Sequence, residues 1–251
     1  MAGPAGRVDA VLVCGGRWHD FDYARLQLLT ELAAHEHVRT RTYENYACLD
    51  ALAAADLLIT YTCAVVPTPE QRSALIDFVA RGGRWLALHA TNAAIEPLAA
   101  DRFATPRAFG DLAPVLGSQF LGHPPIAPYR VEFTEPDHPF LHGLTPFEVT
   151  DELYLSELHP PLQVLAHTHY TGPSPGFEEG HLTDSAPRPV LYLKNHGQGT
   201  VCYFTLGHCR GRYDLQDLGV DDLGVTDRGS WTVPAFRTLL TRCLDWAITP
   251  S

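Results

Sequence analysis

Positive charge is scarce in this chain. Eighteen Lys and Arg stand against 29 Asp and Glu, for a formal charge of −11, and no basic run occurs. A phosphate backbone is held by neutralising its charges and releasing counterions, so nucleic acid is not an expected partner. Long apolar runs are missing as well. Residues 1–7 lack an extended apolar segment and the run after them is only strand length, which leaves neither a targeting segment nor a membrane span. The six cysteines are scattered without a CxxC pair, in a chain too large to need staples, so a cytoplasmic location with mostly buried, apolar thiols is expected. GxGxxG, the phosphate-loop lysine motif and HExxH are all absent. Gly15-Gly16 and Gly82-Gly83 therefore do not make a nucleotide loop, and no nucleotide cofactor is expected.

What is present suits one large α/β domain spanning 1–251, since 45% hydrophobic content supplies a substantial core. Val8 to Cys14 reads as a buried strand leaving through Gly15-Gly16-Arg17-Trp18-His19-Asp20. Leu26, Leu29, Leu32 and Ala33 then recur at helical spacing, with Asp20 or Asp22 as N-cap. Strands over Val38–Tyr43 and Leu57–Tyr61 flank a short helix after Asp50. Thr68-Pro69-Glu70-Gln71 opens another helix, because Thr68 caps it, Pro69 needs no amide donor there and Gln71 completes a capping box. Gly82 ends that helix, and Arg84 to Leu88 is the fourth strand, stopping on His89. Such alternation selects a mostly parallel sheet.

From about 93 to 130 the periodicity fails, and prolines at 97, 106, 114, 124, 125 and 128 mark an irregular excursion. Short strands are expected over 131–133, 153–155, 164–166, 190–193 and 201–205, the last two joined as a hairpin through Gly197-Gln198-Gly199, adding antiparallel pieces to the sheet. Phe236, Leu239, Leu240, Cys243, Leu244 and Ala247 form the stripe of a closing helix.

In an open parallel sheet, ligands bind beyond the carboxyl ends of the strands. Three such ends carry imidazole: His19 beside Asp20, His89, and His208 in Leu206-Gly207-His208. The excursion adds His123, and Asp151-Glu152-Leu153-Tyr154 adds two carboxylates and a phenol. Imidazole and carboxylate together bind a divalent metal with an open position, or act directly as acid and base. Read as isolated residues, Glu152 is a surface charge, Asp151 a local turn or cap, and the histidines at 138, 142, 159, 167, 169, 181 and 196 structural. Trp18, Tyr43, Tyr46 and Tyr61 are candidates to stack on a sugar ring, or else core.

The ordered set Gly15–Asp20, Gly82–Ala90, Gly117–Pro124, Asp137-His138-Pro139, Asp151–Tyr154 and Gly199–His208 resembles the ThuA-like (trehalose-utilisation) family of the class I glutamine-amidotransferase-like superfamily. The resemblance implies a flavodoxin-like three-layer α/β/α sandwich. In true amidotransferases of that superfamily the turn after the fourth strand presents a nucleophilic cysteine. Here that place is taken by His89, which cannot form a thioester, so glutaminase activity is not expected.

The family name points to sugar catabolism, particularly of disaccharides and glycosides oxidised to 3-keto forms. A ketone at C3 acidifies the C2 proton, so a base removes it, the C1 aglycone leaves and water adds later. On this reading His89, His123 and His208 are metal ligands or polarise the ketone, His89 also counting among the catalytic groups, His19 and Glu152 are acid or base, and Asp20 orients His19. Trp18, Tyr154 and Arg210 contact substrate, although Arg210 and Arg212 read equally as exposed loop charges. The expected partner is a small carbohydrate, with a divalent metal as the only cofactor considered and homo-oligomer formation left open. Two alternatives remain at this level: a non-catalytic sugar-binding or regulatory module on the same fold, and an isomerase of a free keto sugar.

Overall fold

The computed structural model describes residues 6–99, 101–179 and 184–249, so His181 and the extreme N-terminal segment lie outside the described residues. The first half alternates β1 (Val8–Gly16), α1 (Phe21–Ala33), β2 (Val38–Tyr43), α2 (Leu49–Ala53), β3 (Leu57–Cys63), α3 (Pro69–Ala80) and β4 (Arg84–Leu88). Then come β5 (Glu96–Ala99), β6 (Arg102–Ala104), α4 (Ala113–Leu116), β7 (Ser118–Gly122), β8 (Ala127–Phe133), β9 (Phe147–Asp151), β10 (Leu155–Leu158) and β11 (Gln163–Thr168). The chain finishes with β12 (Arg188–His196), β13 (Gly199–Phe204) and α5 (Pro234–Ile248).

Nine strands form one sheet in the order β2-β1-β3-β4-β13-β12-β11-β8-β9. The five from β2 to β13 run parallel; β12, β11, β8 and β9 continue it in antiparallel fashion. Alternation along the central strands sorts side chains to two faces. Leu12, Ile59, Leu86 and Cys202 pack with Ala24 and Leu28 of α1 and with the stripe of α5, whereas Val11, Leu58, Trp85 and Val201 pack with Leu52, Phe78 and Leu116 from α2, α3 and α4. Because both faces are covered, the central strands read as near-continuous apolar runs rather than alternating ones. This is the flavodoxin-like three-layer arrangement, with an antiparallel extension. The Thr68 capping box and the Gly197 hairpin form as expected, and all six cysteines are buried free thiols.

Local expectations fail in three places. Helix α1 buries Ala24, Leu28 and Leu32, while Leu26 is 61% exposed. The small Ala24 sets the face that meets the sheet, and Leu26, two residues on, is rotated about 200° away from it. The stretch read as irregular holds a β5–β6 hairpin, α4, and β7, which pairs with β10 away from the main sheet. Pro128 of β8 is tolerated because it pairs only with Thr150 of β9 and lies beyond the two residues where β8 meets β11, while Pro114 falls in the first turn of α4. Finally, residues 153–155 are not one strand, because the chain leaves β9 at Asp151 and re-enters pairing only at Leu155. Asp151 is pinned to other loops at that point, and Glu152 to Tyr154 turn inward instead.

Candidate functional site

The carboxyl ends of β1, β4 and β13 converge on one group of side chains. His89 is the first residue beyond β4, and its backbone takes a φ of +47°, an unusual conformation for a residue with a Cβ and one that persists only when its surroundings enforce it. The enforcement is visible: the Tyr203 hydroxyl donates to the His89 carbonyl at 2.7 Å, and His89 Nδ1 lies 2.9 Å from the Thr205 carbonyl. A carbonyl can only accept, so Nδ1 carries a proton, and in the neutral form of the ring Nε2 presents a lone pair.

The same logic fixes two more imidazoles. His19 Nδ1 is 3.1 Å from the Arg17 carbonyl and His123 Nδ1 is 2.8 Å from the Pro124 carbonyl, which leaves each Nε2 as an acceptor. His19 Nε2 and His89 Nε2 face one another at 2.9 Å, each ring having its Nδ1 turned to a backbone carbonyl.

Glu152, directly after β9, sits among them and is almost fully buried. Its Oε2 is 3.4 Å from His89 Nε2 and 3.7 Å from His19 Nε2; its Oε1 is 3.2 Å from His208 Nδ1, 3.5 Å from Arg210 Nη2 and 3.6 Å from His123 Nε2. Across the ring, His208 Nε2 lies 3.4 Å from Asp227 Oδ2. Neither His208 nitrogen has hydrogen-bond alignment with its carboxylate, so both remain unsatisfied despite complete burial. Burial pushes the Glu152 carboxyl up, but the charge of His208, foremost among its neighbours, holds it well below the usual carboxylate range. Burial drives His19 down to about 3. For His208 burial acts in the same direction, yet Glu152 and Asp227 prevail and raise it to about 9. At neutral pH the cation-free cluster thus holds a Glu152 carboxylate, a His208 imidazolium and a neutral His19.

One ligand atom from each of His19, His89, Glu152 and His208 lies within 4.8 Å of all the others. The orphaned His208 nitrogens and the facing Nε2 atoms of His19 and His89 fit a divalent cation, and the outer nitrogens of His19 and His89 are already held by the Arg17 and Thr205 carbonyls while that of His208 faces Asp227.

Several expected residues sit differently. His123 lies outside that group of four, its ring held against Phe177 at 5.0 Å and its side chain 23% exposed to the adjoining cavity. Asp20 does not touch the His19 ring: it accepts from the Tyr23 amide as the N-cap of α1 and from Arg228, because a capping side chain is directed along its helix axis. Tyr154 is buried behind the site, its phenol 3.2 Å from His89 Nε2, and does not line the cavity. Burial keeps that phenol protonated by raising it well above its ordinary value. Tyr46 and Tyr61 are core residues, bonded to Thr62 and to the Gly207 carbonyl. Trp18 and Arg210 do line the cavity, Arg210 donating to the Trp18 carbonyl, whereas Arg212 is an exposed partner of Asp222.

Two carboxylates organise the site beyond what the sequence conveys: Asp151, read there as a local turn or cap, and Asp227, which no motif singles out. Asp151, buried, accepts from the amides of Glu152, Gly207, His208 and Ser230, tying β9 to the loops that carry His208 and the turn at 229–232. Asp227 faces His208. The partners of Asp151 outside its own loop are 56 to 79 residues away, so no local pattern announces it.

The family model described as trehalose utilisation matches residues 10–219. This chain belongs to the ThuA family. Membership implies a role in trehalose utilisation. No curated protein matches the chain. Among solved structures, a protein described as ThuA-like from Parabacteroides merdae ATCC 43184 is 14% identical at a TM-score of 0.68, covering 97% of this chain and 90% of that one. A second, from Bacteroides uniformis ATCC 8492, is 16% identical at a TM-score of 0.66, covering 98% and 94%. A β-galactosidase from Rahnella sp. R3 superposes at a TM-score of 0.54 with 16% identity, over 95% of this chain but only 31% of the galactosidase. At these identities the likeness is one of fold. Among the described residues no helix is long and apolar enough to cross a membrane.

Proposed function

We propose that this ThuA-family chain is an enzyme of sugar catabolism that removes the C1 substituent of a 3-keto glycoside or disaccharide, with His19, His89, Glu152 and His208 holding a divalent cation. The observation that carries the reading is the pair of imidazole Nε2 atoms 2.9 Å apart with a buried carboxylate beside them. A sugar-binding surface has no need of such a group, which is costly to assemble out of water. A bound cation would supply a Lewis acid for the ketone oxygen.

The chain's own residues supply the proton handling. His123 presents its Nε2 lone pair at the cavity wall, where it takes the acidified C2 proton of the ketone. The C2–H electron pair forms the C1=C2 bond, the C1–O bond breaks, and the protonated His123 returns its proton to the departing oxygen. Addition of water to the resulting enone then completes hydrolysis. Arg210, fixed through the Trp18 carbonyl, places positive charge at the same wall and steadies the developing oxyanion. The Trp18 ring and the apolar surround exclude bulk water from the elimination.

The test is turnover of a panel of 3-keto glycosides by the metal-loaded protein, with product analysis, beside His123→Asn. Aglycone release that falls at least about 100-fold in the variant is expected. Saturable binding without turnover, or a rearranged sugar with no released aglycone, would overturn the assignment.

A further inference from the structure

A chamber of about 380 Å³ opens from the His/Glu cluster, within the range of about 300–1,000 Å³ typical of small-molecule sites. Its two ends differ in chemistry. The inner end carries His19, His123, Glu152 and Arg210, and the remaining wall is built from Trp18, Phe103, Phe177, Leu215, Leu218 and Val220 with little else that could bond a hydroxyl. The aromatic members form a continuous surface, with Phe103 5.7 Å from both the Trp18 and Phe177 ring centres.

The leucines and Val220 belong to the segment after Arg210, and that segment is fastened over the chamber. Asp217 accepts from the Trp18 indole at 3.1 Å and from the Arg17 guanidinium, and Arg210 and Asp227 exchange backbone bonds at its base. Val220 is nonetheless 37% exposed, so the fold holds an apolar surface open at this point.

We infer that the group carried on C1 of the substrate is aromatic or otherwise apolar, and that this chamber binds it while the sugar ring occupies the polar inner end. The inference rests on the proposed reaction for the position of the sugar. A second pyranose in the chamber would set its hydroxyls against carbon, losing water without regaining hydrogen bonds, whereas a phenyl ring would meet edges and faces of its own kind. The enzyme thus discriminates by the aglycone: an aryl keto-glycoside is preferred over the keto-disaccharide.

Two measurements separate this inference from the reaction. Calorimetric binding of phenyl, methyl and glucosyl β-glucosides, which lack the ketone and cannot react, should rank phenyl tightest, by at least about tenfold over methyl. The kcat/KM values of the matching 3-keto substrates should follow the same order. Leu218→Asn should shrink the phenyl-to-methyl ratio to about threefold or less, and a ratio is insensitive to any loss of folded protein. A phenyl preference in binding with no turnover of any ketone would sustain the chamber's role and overturn the reaction. Equal or undetectable binding of phenyl and methyl glucosides, or a glucosyl preference, would overturn the chamber's role.

Discussion

Asp151→Asn should cost more than its near-isosteric change suggests. The carboxylate accepts from the Glu152 amide through Oδ1, from Gly207 and Ser230 through Oδ2, and from His208 through both. An asparagine keeps one oxygen. The better of its two orientations retains Gly207, His208 and Ser230 and turns its own NH2 against the Glu152 N–H. That orphans one buried donor, at about 1–3 kcal/mol, and weakens three charge-assisted bonds to neutral ones. A loss of about 3 kcal/mol follows, a large share of the about 5–15 kcal/mol that holds a domain together. Urea denaturation at pH 7 would show it as a midpoint lower by about 1 M, for a slope of about 3 kcal/mol/M. Because the disturbed amide is that of Glu152 itself, affinity for a divalent cation should fall at least about tenfold in the same protein. A variant within about 1 kcal/mol of the parent that binds the cation within threefold would refute the view that Asp151 aligns the site.

Binding a divalent cation at pH 7 should release close to one proton. His208, at about 9, is protonated in the cation-free protein and sheds its proton when Nδ1 becomes a ligand, while His19, at about 3, has none to lose. Titrations in buffers of different ionisation enthalpy measure this, and affinity should weaken as pH falls from about 9. A proton count near zero would argue against His208 as a ligand, and His89→Ala should abolish stoichiometric metal in elemental analysis. Leu26→Glu should change stability by less than about 0.5 kcal/mol in thermal unfolding, since that leucine faces solvent.

The fold was legible because its signals are local. The Thr68 capping box, the glycine-bounded strand ending at His89 and the stripe of α5 each fall within a few residues. The strand-end rule then pointed to His19, His89 and His208, and the structure brings these three together. Glu152 was harder to rank, because a carboxylate before a strand looks like surface charge until the long-range ties of Asp151 turn it inward. Asp20 was misread for the opposite reason: adjacency to His19 suggested contact, but its side chain serves the helix that follows. The chamber wall could not be foreseen, since Phe103, Phe177 and Leu218 lie on segments with no shared periodicity and meet only through the ties of Asp217 and the β5–β6 region.

Strand order explains why a glycine pair, rather than a larger loop, leads to His19. β1 is separated from β4 by β3, so the chain leaving β1 must cross the end of β3 to bring an imidazole within 2.9 Å of His89. It does so in close contact: the Arg17 amide donates to the Cys63 carbonyl at 3.1 Å, and a Cβ on Gly16, where φ is +129°, would lie 2.0 Å from that same oxygen. No side chain fits there, and few residues adopt that conformation. Neighbouring strands lie about 4.8 Å apart, so a loop raised by even one methyl group would lift His19 away from His89 and Glu152. Gly16 is therefore a requirement of the site imposed by topology, which is why Gly15-Gly16 resembles a nucleotide turn in composition yet serves an imidazole cluster instead.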